Sequence, residues 1–358
     1  MAINDKLLKG AAGGGGGGGG LVPSANFQTV LYTGNGENER TIILPFAADF
    51  VWLKRRDAAF SHHLVDTVRG GTNPMKTIFS NGTNAEFTSA SQFNNYGYIK
   101  SLSSTNLVLV KGSQSGSNTN TLNSNYVLYC WKAPDAFSHS ASGSQLASSG
   151  KSNQAAGFSI VSYTGNDTSG ATVKHNLGVK PQLILFKAVG ANNNWGVYNE
   201  TITANKFLVL NATSQAVDST TPFNDTEPTD TIMTLGSSGS FNRSGTGGMI
   251  AYCFTSKTGI SKVGSYTGNN STIGNHIECG FEPGWVMIKQ TSAAGTRWVI
   301  LDNKRNTTNA RNTFLFADGN FAEGTEGSLS LNFTTTGFQY FSTTGAVNAS
   351  MNTSQTYL

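Results

Sequence analysis

The chain has 358 residues, a length that suits two or three domains. Charged residues make up only 12% and the formal net charge is +4, too dilute to attract a phosphate backbone, so nucleic acid is excluded as a partner. Hydrophobic residues at 37%, including 21 Phe, can fill cores, while 42 Gly among abundant Ser, Thr and Asn point to loop-rich β structure with an amide and hydroxyl surface.

Residues 1–25 stand outside any repeat. "INDKLLKGAA" is predicted to form one short helix with Asn4 as its N-cap. Eight glycines follow, Gly13–Gly20, and polyglycine favours neither helix nor strand. The segment therefore reads as a docking peptide on a tether, with Ile3, Leu7 and Leu8 as the apolar docking residues. The N-terminus has no long apolar core of a secretory signal, and no run of 18 apolar residues predicts a membrane span.

The tetrapeptide YTGN then appears three times, at Tyr32–Asn35, Tyr163–Asn166 and Tyr266–Asn269. Each copy follows an alternating run: "FQTVLYTGN", "FSIVSYTGN", "SKVGSYTGN". Each is followed 22, 24 or 23 residues after its Tyr by a Lys that ends an apolar run: "DFVWLK" to Lys54, "QLILFK" to Lys187, "GWVMIK" to Lys289. That phase defines three repeats, 26–133, 157–257 and 258–358, here called units one, two and three. Short alternating runs with frequent turn signals predict an all-β chain of tandem antiparallel β-sandwiches, jelly-roll or lectin-like. The three central runs are apolar on nearly every residue, which predicts cover on both faces. Within the motif, Tyr32, Tyr163 and Tyr266 place a ring inward and a hydroxyl outward. Gly34, Gly165 and Gly268 are read as φ > 0 turn residues, and Asn35, Asn166 and Asn269 as turn residues that bond nearby backbone. Presence in all three units makes this a structural motif.

Units one and two are separated by residues 134–156, a Ser/Ala/Gly-rich linker, whereas units two and three meet at the short "TSKTGI". Units two and three are therefore expected to pair, with unit one apart. Units one and two close on "YVLYCWKA" and "MIAYCFTSK", but unit three has only "TYL". Either a neighbouring chain completes its last strand or the sequence continues past Leu358.

Residues that could carry chemistry are sparse. Cys130, Cys253 and Cys279 are odd in number and lack a CxxC, so neither a disulfide framework nor a zinc site is indicated; they read as core residues of a protein assembled under reducing conditions. "GSQLASSGKS" has six residues between its glycines where a phosphate loop has four. His62 and His63 with Asp57 and Asp66 form the one dense acid/base set and read as a polar turn. Asp225, Glu227 and Asp230 read as a solvated loop that could gather calcium. Lys54-Arg55-Arg56 reads as a solvated strand end. No cofactor, metal or catalytic residue is assigned. Trp195 and Trp298, equivalent in units two and three, are the candidate glycan contacts, since sugars stack on exposed indoles.

The combination "NFQTVLYTGNG", "DFVWLKRRDAAFSHHLVDTVRGG" and "YVLYCWKAP" resembles virion structural and tail-fibre-like proteins of marine bacteriophages, which repeat a β-domain of this pattern. Tyr32–Gly36, Asp49–Arg56 and Asp66–Gly70 carry the resemblance; units two and three have "YNETI" and "LDNKR" where unit one has "DTVRG". The resemblance implies a non-enzymatic virion protein assembled in the host cytoplasm, most simply a tail fibre or host-facing appendage. Its partners would be other tail or capsid proteins, a homo-oligomer of three chains, and a host surface glycan. A head-decoration protein and a carbohydrate-degrading depolymerase are the alternatives.

Overall fold

A computed structural model of the chain describes residues 1–6, 21–93, 95–113, 117–325, 330–341, 352 and 354–358. The protein is all-β, and every ladder between its strands is antiparallel. Two single-turn 3-10 segments, Pro23–Ala25 and Ala90–Gln92, are the helical pieces among the described residues.

Each unit is a sandwich of one large and one small sheet. Unit one's large sheet orders Phe27–Thr33, Asn125–Trp131, Phe50–Arg55, His63–Asp66 and Ile78–Phe79. Unit two repeats this core order with Phe158–Tyr163, Met249–Phe254, Leu183–Ala188, Gly196–Asn199 and Lys206–Val209. Unit three does so with Ser261–Lys262, Ala2–Ile3, Trp285–Ile288, Val299–Asp302 and Thr313–Phe316. The small sheets are Glu39–Ile43, Asn106–Val110 and Tyr98–Ser103 in unit one; Ala171–Lys174 and Ile232–Leu235 in unit two; Ile273–Glu278, Gly337–Phe341 and Ser330–Phe333 in unit three.

The central runs are buried at every residue, and the reason is a fourth core. Side chains alternate along a strand. Val51 and Leu53, Ile184 and Phe186, and Val286 and Ile288 point into their own sandwiches. Their neighbours Phe50 and Trp52, Leu183 and Leu185, and Trp285 and Met287 meet in one central cluster shared by all three units. The large sheets therefore face one another around a common interior, where Phe50 stacks on Tyr252 at 4.4 Å between centroids and Trp131 abuts Trp285 at 5.9 Å. Unit one does not stand apart from the other two.

Three further expectations are corrected. Residues 134–156 are not a bare linker. They form the hairpin Asp135–His139 and Ser148–Asn153, which extends unit two's large sheet. Small Ser, Ala and Gly side chains suit an edge hairpin as well as a coil, so composition did not separate the two. Among its described residues the N-terminal segment is not helical: Ala2–Ile3 is a strand between Ser261–Lys262 and Trp285–Ile288. It also answers the question of unit three's closing strand. Leu358 exchanges both backbone hydrogen bonds with Lys289, and Met1 exchanges both with Met287. The C-terminal and N-terminal segments thus run as one interrupted strand, one position apart opposite Ile288. A cavity of about 80 Å³ lies at that gap, lined by Ala2, Tyr266, Cys279, Ile288 and Leu358 among others.

Candidate functional site

The YTGN residues build the same turn three times. Asn35 N donates to Asn120 Oδ1 at 3.1 Å, and Asn120 Nδ2 returns bonds to Asn35 Oδ1 and Glu37 O at 2.7 and 2.9 Å. Asn166 with Asn242, and Asn269 with Asn352, repeat each of these bonds. The buried Tyr32 hydroxyl donates to Thr119 O at 2.6 Å, and Tyr163 to Phe241 O. Tyr32 stacks on Tyr126, and Tyr266 on Tyr357. Gly34 and Gly165 are required by space and not by a positive φ: a Cβ would lie 1.9 Å from Thr121 O and 2.2 Å from the Asn242 carbonyl carbon. The Gly268 N–H donates to Gln355 O at 3.0 Å. Asn120, Asn242 and Asn352 escaped the sequence reading because they sit 85, 76 and 83 residues beyond their partners in stretches already full of Asn, Ser and Thr.

Trp195 and Trp298 are fully buried, so neither can stack on a sugar. Each indole N–H crosses to the preceding unit: Trp195 to Phe79 O at 2.8 Å and Trp298 to Val209 O at 3.0 Å. An aromatic beside polar loops read as exposed because the covering surface belongs to another unit. Ile3 is likewise inside, 2% exposed and part of the central core. Leu7, Leu8 and Gly13–Gly20 lie outside the described residues.

The most elaborate polar construction is at the seams between units, where each unit reaches the one before it in a closed cycle. The three repeat lysines are wholly buried. Lys54 Nζ donates to Ala58 O and, in unit three, Asn320 O; Lys187 to Asn193 O and, in unit one, Thr83 O; Lys289 to Thr296 O and, in unit two, Thr213 O. Burial pulls their pKa down, to about 7 for Lys54 and about 8 for Lys187 and Lys289. Lys54, Arg55 and Arg56 are therefore an anchored set and not a solvated strand end.

Two seams carry an ionic clamp. At the first, the Asp66 carboxylate accepts from the Val68 and Arg69 backbone, pairs with Arg69 Nε at 2.6 Å, and accepts the Tyr252 hydroxyl of unit two at 2.7 Å. At the second, Asp302 accepts from the Lys304 and Arg305 backbone, pairs with Arg305 at Nε and accepts the Tyr129 hydroxyl of unit one at 2.9 Å. Arg305 also reaches Glu323, which Arg56 of unit one holds with two bonds of 2.8 and 2.9 Å. The "LDNKR" that differs from "DTVRG" on paper thus keeps the Asp and Arg three residues apart. Unit two has lost both: Asn199 and Ile202 stand there. At that seam Met1 takes the register position of Tyr129 and Tyr252, and Ile202 and Met1 pack on the central core. Unit one alone holds both halves: Asp66, Arg69 and Glu86 on one edge, Lys54, Arg56 and Tyr129 on the other.

The remaining candidates are dispersed. Glu227 accepts from Tyr198, Lys180 and the Ala204 N–H, and Asp230 from the Lys180 N–H; among the described residues no group of three metal-ligating side chains gathers. His175 is buried against Thr229 O, whereas His276 is exposed beside Thr334. The three cysteines are buried free thiols, with burial raising the pKa of Cys253 to about 12 and Cys279 to about 11. Among the described residues no helix is long and apolar enough to cross a membrane.

No curated protein and no solved structure matches the chain. One family model does, over residues 22–358, so it takes in all three units and the seams between them: the chain belongs to the family described as Domain of unknown function (DUF7483).

Proposed function

We propose that the protein is a structural component of a bacteriophage virion and serves as a single closed block with internal threefold repetition, in a tail appendage or other host-facing element. The observation that carries this reading is the cyclic set of seams, in which Lys54, Lys187 and Lys289 each cap a carbonyl of the neighbouring unit. Heterologous contacts that close after three steps are what three separate chains use to form a trimer. Here one chain supplies all three, so one copy can offer three equivalent contact points to a threefold partner. The resemblance of residues 1–133 to phage virion proteins supports the setting. Residues 1–6 are engaged within unit three, so attachment is assigned to the outer faces and not to a free N-terminal peptide. The depolymerase alternative is disfavoured by the seam carboxylates: Asp66 and Asp302 are wholly buried and bound to arginine.

The test is localisation and stoichiometry on purified particles carrying a label on an exposed loop of unit three. A tail label with one chain per threefold position supports the reading. Label over the head makes the protein a capsid accessory, and its absence from particles overturns the virion assignment.

A further inference from the structure

All three seams share a buried lysine that reaches the neighbouring unit, but one of them differs at the aromatic position beside it. Where units two and three place Trp195 and Trp298, unit one places His62, wholly buried. Trp195 and Trp298 donate to Phe79 O and Val209 O; His62 lies against the corresponding backbone of Phe316 and that of Gly319 in unit three. Its Nδ1 accepts the Trp52 indole N–H at 2.8 Å, which places the neutral ring's proton on Nε2, and Nε2 makes no hydrogen bond of ordinary geometry. A second proton can enter only at Nδ1. That would set two N–H donors face to face at 2.8 Å and leave the Trp52 N–H without an acceptor.

This seam is also the one the chain does not close directly. Units one and two are joined through the 135–153 hairpin, and units two and three through 255–260, whereas units one and three connect only by way of residues 7–20. We propose that the seam between units one and three is an acid-sensitive latch, closed while His62 is neutral and released when it takes up a proton.

The surrounding charges favour release. Burial is the largest influence opposing a positive charge on His62, and its titratable neighbours Lys54 and His63 oppose it too, outweighing the Gly319 and Phe316 backbone, which favours it. Lys54 in turn feels Arg55 and Asp57 on its own unit and Glu323 across the seam. Its pKa near 7 means that it is already charged when His62 is challenged. His63 is a separate case: it pairs with Leu53 in register and packs on Phe79 and Phe93 inside unit one, so it ionises only when that unit itself unfolds. The sign follows. Because the closed seam holds His62 neutral and the open one exposes it, each pH unit below about 6.5 shifts the balance about tenfold toward the open form. Between pH 6.5 and 4.5 that is about 100-fold. Opposing it are the Arg56–Glu323 pair, the Tyr129–Asp302 bond and the Ser80 bond to Ala317 O.

The experiment is amide hydrogen exchange by mass spectrometry on the full chain from pH 7.5 to 4, corrected for intrinsic rates. Segments 50–66 and 313–325 should lose protection at least tenfold, while 158–163 and 249–254 in unit two hold theirs. In His62→Gln, whose amide oxygen can still accept from Trp52, and in Trp52→Leu/His62→Trp, which installs the residue types of the unit-two seam, that loss should move down by about one pH unit or more. The proposal is overturned if the variants lose protection at the wild-type pH, or if all segments lose it together. Should the double variant not fold, His62→Gln decides alone.

Discussion

If residues 1–6 are part of unit three, a single methyl-rich side chain near the N-terminus should matter to the whole molecule. Ile3 is 2% exposed, and its strand is held from both sides. Asn4 N donates to Ile260 O at 2.8 Å, Gly284 N to Ile3 O at 2.6 Å, and Asn303 Nδ2 to Asp5 Oδ1 at 2.9 Å. Gly284 leaves room for Asp5, since a Cβ there would stand 2.3 Å from the Asp5 carboxyl carbon. Truncating a buried Ile to Ala costs about 2–5 kcal/mol, because transfer and cavity costs add. Ile3→Asp should cost more, because an unpaired carboxylate would enter an apolar core. The control is Lys6→Ala. Lys6 pairs with Glu282 at the surface, with side chains 53% and 24% exposed, and such a pair is worth about 0–1 kcal/mol. The assay is urea unfolding together with hydrogen exchange over 284–288. Ile3→Ala should lower stability by at least about 2 kcal/mol and expose that strand, and Lys6→Ala should do neither. If both variants behave as wild type, the N-terminal strand is not docked and the free-tether reading of the sequence is restored.

The ionic clamps give a second expectation: Tyr252→Phe and Tyr129→Phe should each cost about 1–3 kcal/mol by leaving a buried carboxylate short of a donor, and a double-mutant cycle of Tyr252→Phe with Asp66→Asn should show coupling above about 0.5 kcal/mol. Additive behaviour would mean that the bond is not formed in solution. Asn120→Ala and Asn242→Ala should each cost about 1–3 kcal/mol in thermal or urea unfolding, since each side chain closes a turn with several bonds; a change below about 0.5 kcal/mol would remove the turn clamp from the account. The buried lysines set a pH dependence. Their folded pKa values, about 7 to 8, lie below the unfolded value, so stability should rise with pH between about 7.5 and 8.5, by up to about 1.4 kcal/mol per unit for each lysine, before the buried cysteine thiols, whose pKa burial raises, oppose the rise at higher pH. Lys187→Met should flatten the slope; a slope that falls over the same window would refute it. Finally, residues 22–133 expressed alone should sediment as a trimer, because unit one carries both edges of the clamp, and Asp66→Ala should shift it toward monomer.

The class of fold was legible because periodicity is local. Alternating runs and a nearly constant distance from YTGN to Lys are properties of nearby residues, and the double burial of "DFVWLK" could be read from its unbroken apolarity. The identity of the second cover could not. Nothing within "DFVWLK" says that Phe50 and Trp52 face two other units while Val51 and Leu53 face their own. The same limit misplaced Trp195, Trp298 and Lys54. An indole or an ammonium next to polar loops looks exposed when its acceptor is a backbone carbonyl 89 to 266 residues away, because carbonyls have no signature in sequence. Ile3 failed for a related reason: a two-residue strand has no period to detect.

The losses at the third seam were in the sequence but could be interpreted only together. Asn199 and Ile202 look like drift in a weakened repeat when unit two is aligned alone. The ring gives them a cause. An Asp–Arg pair is stable in a buried seam when a hydroxyl completes it, as Tyr252 and Tyr129 do for Asp66 and Asp302. In unit three that place belongs to the junction of Leu358 and Met1. Without a donor, a buried carboxylate there would be short of a partner and its arginine would be costly to desolvate. Apolar Ile202 and Met1, both packed on the central core, serve that seam without either charge. The seam that lacks the clamp lies between the two units with the shortest covalent connection, whereas the two clamped seams join unit one to unit two and unit one to unit three. The clamps thus stand at the two seams with the longer covalent connections, as expected if these contacts serve to hold one order of three similar sheets around a shared core.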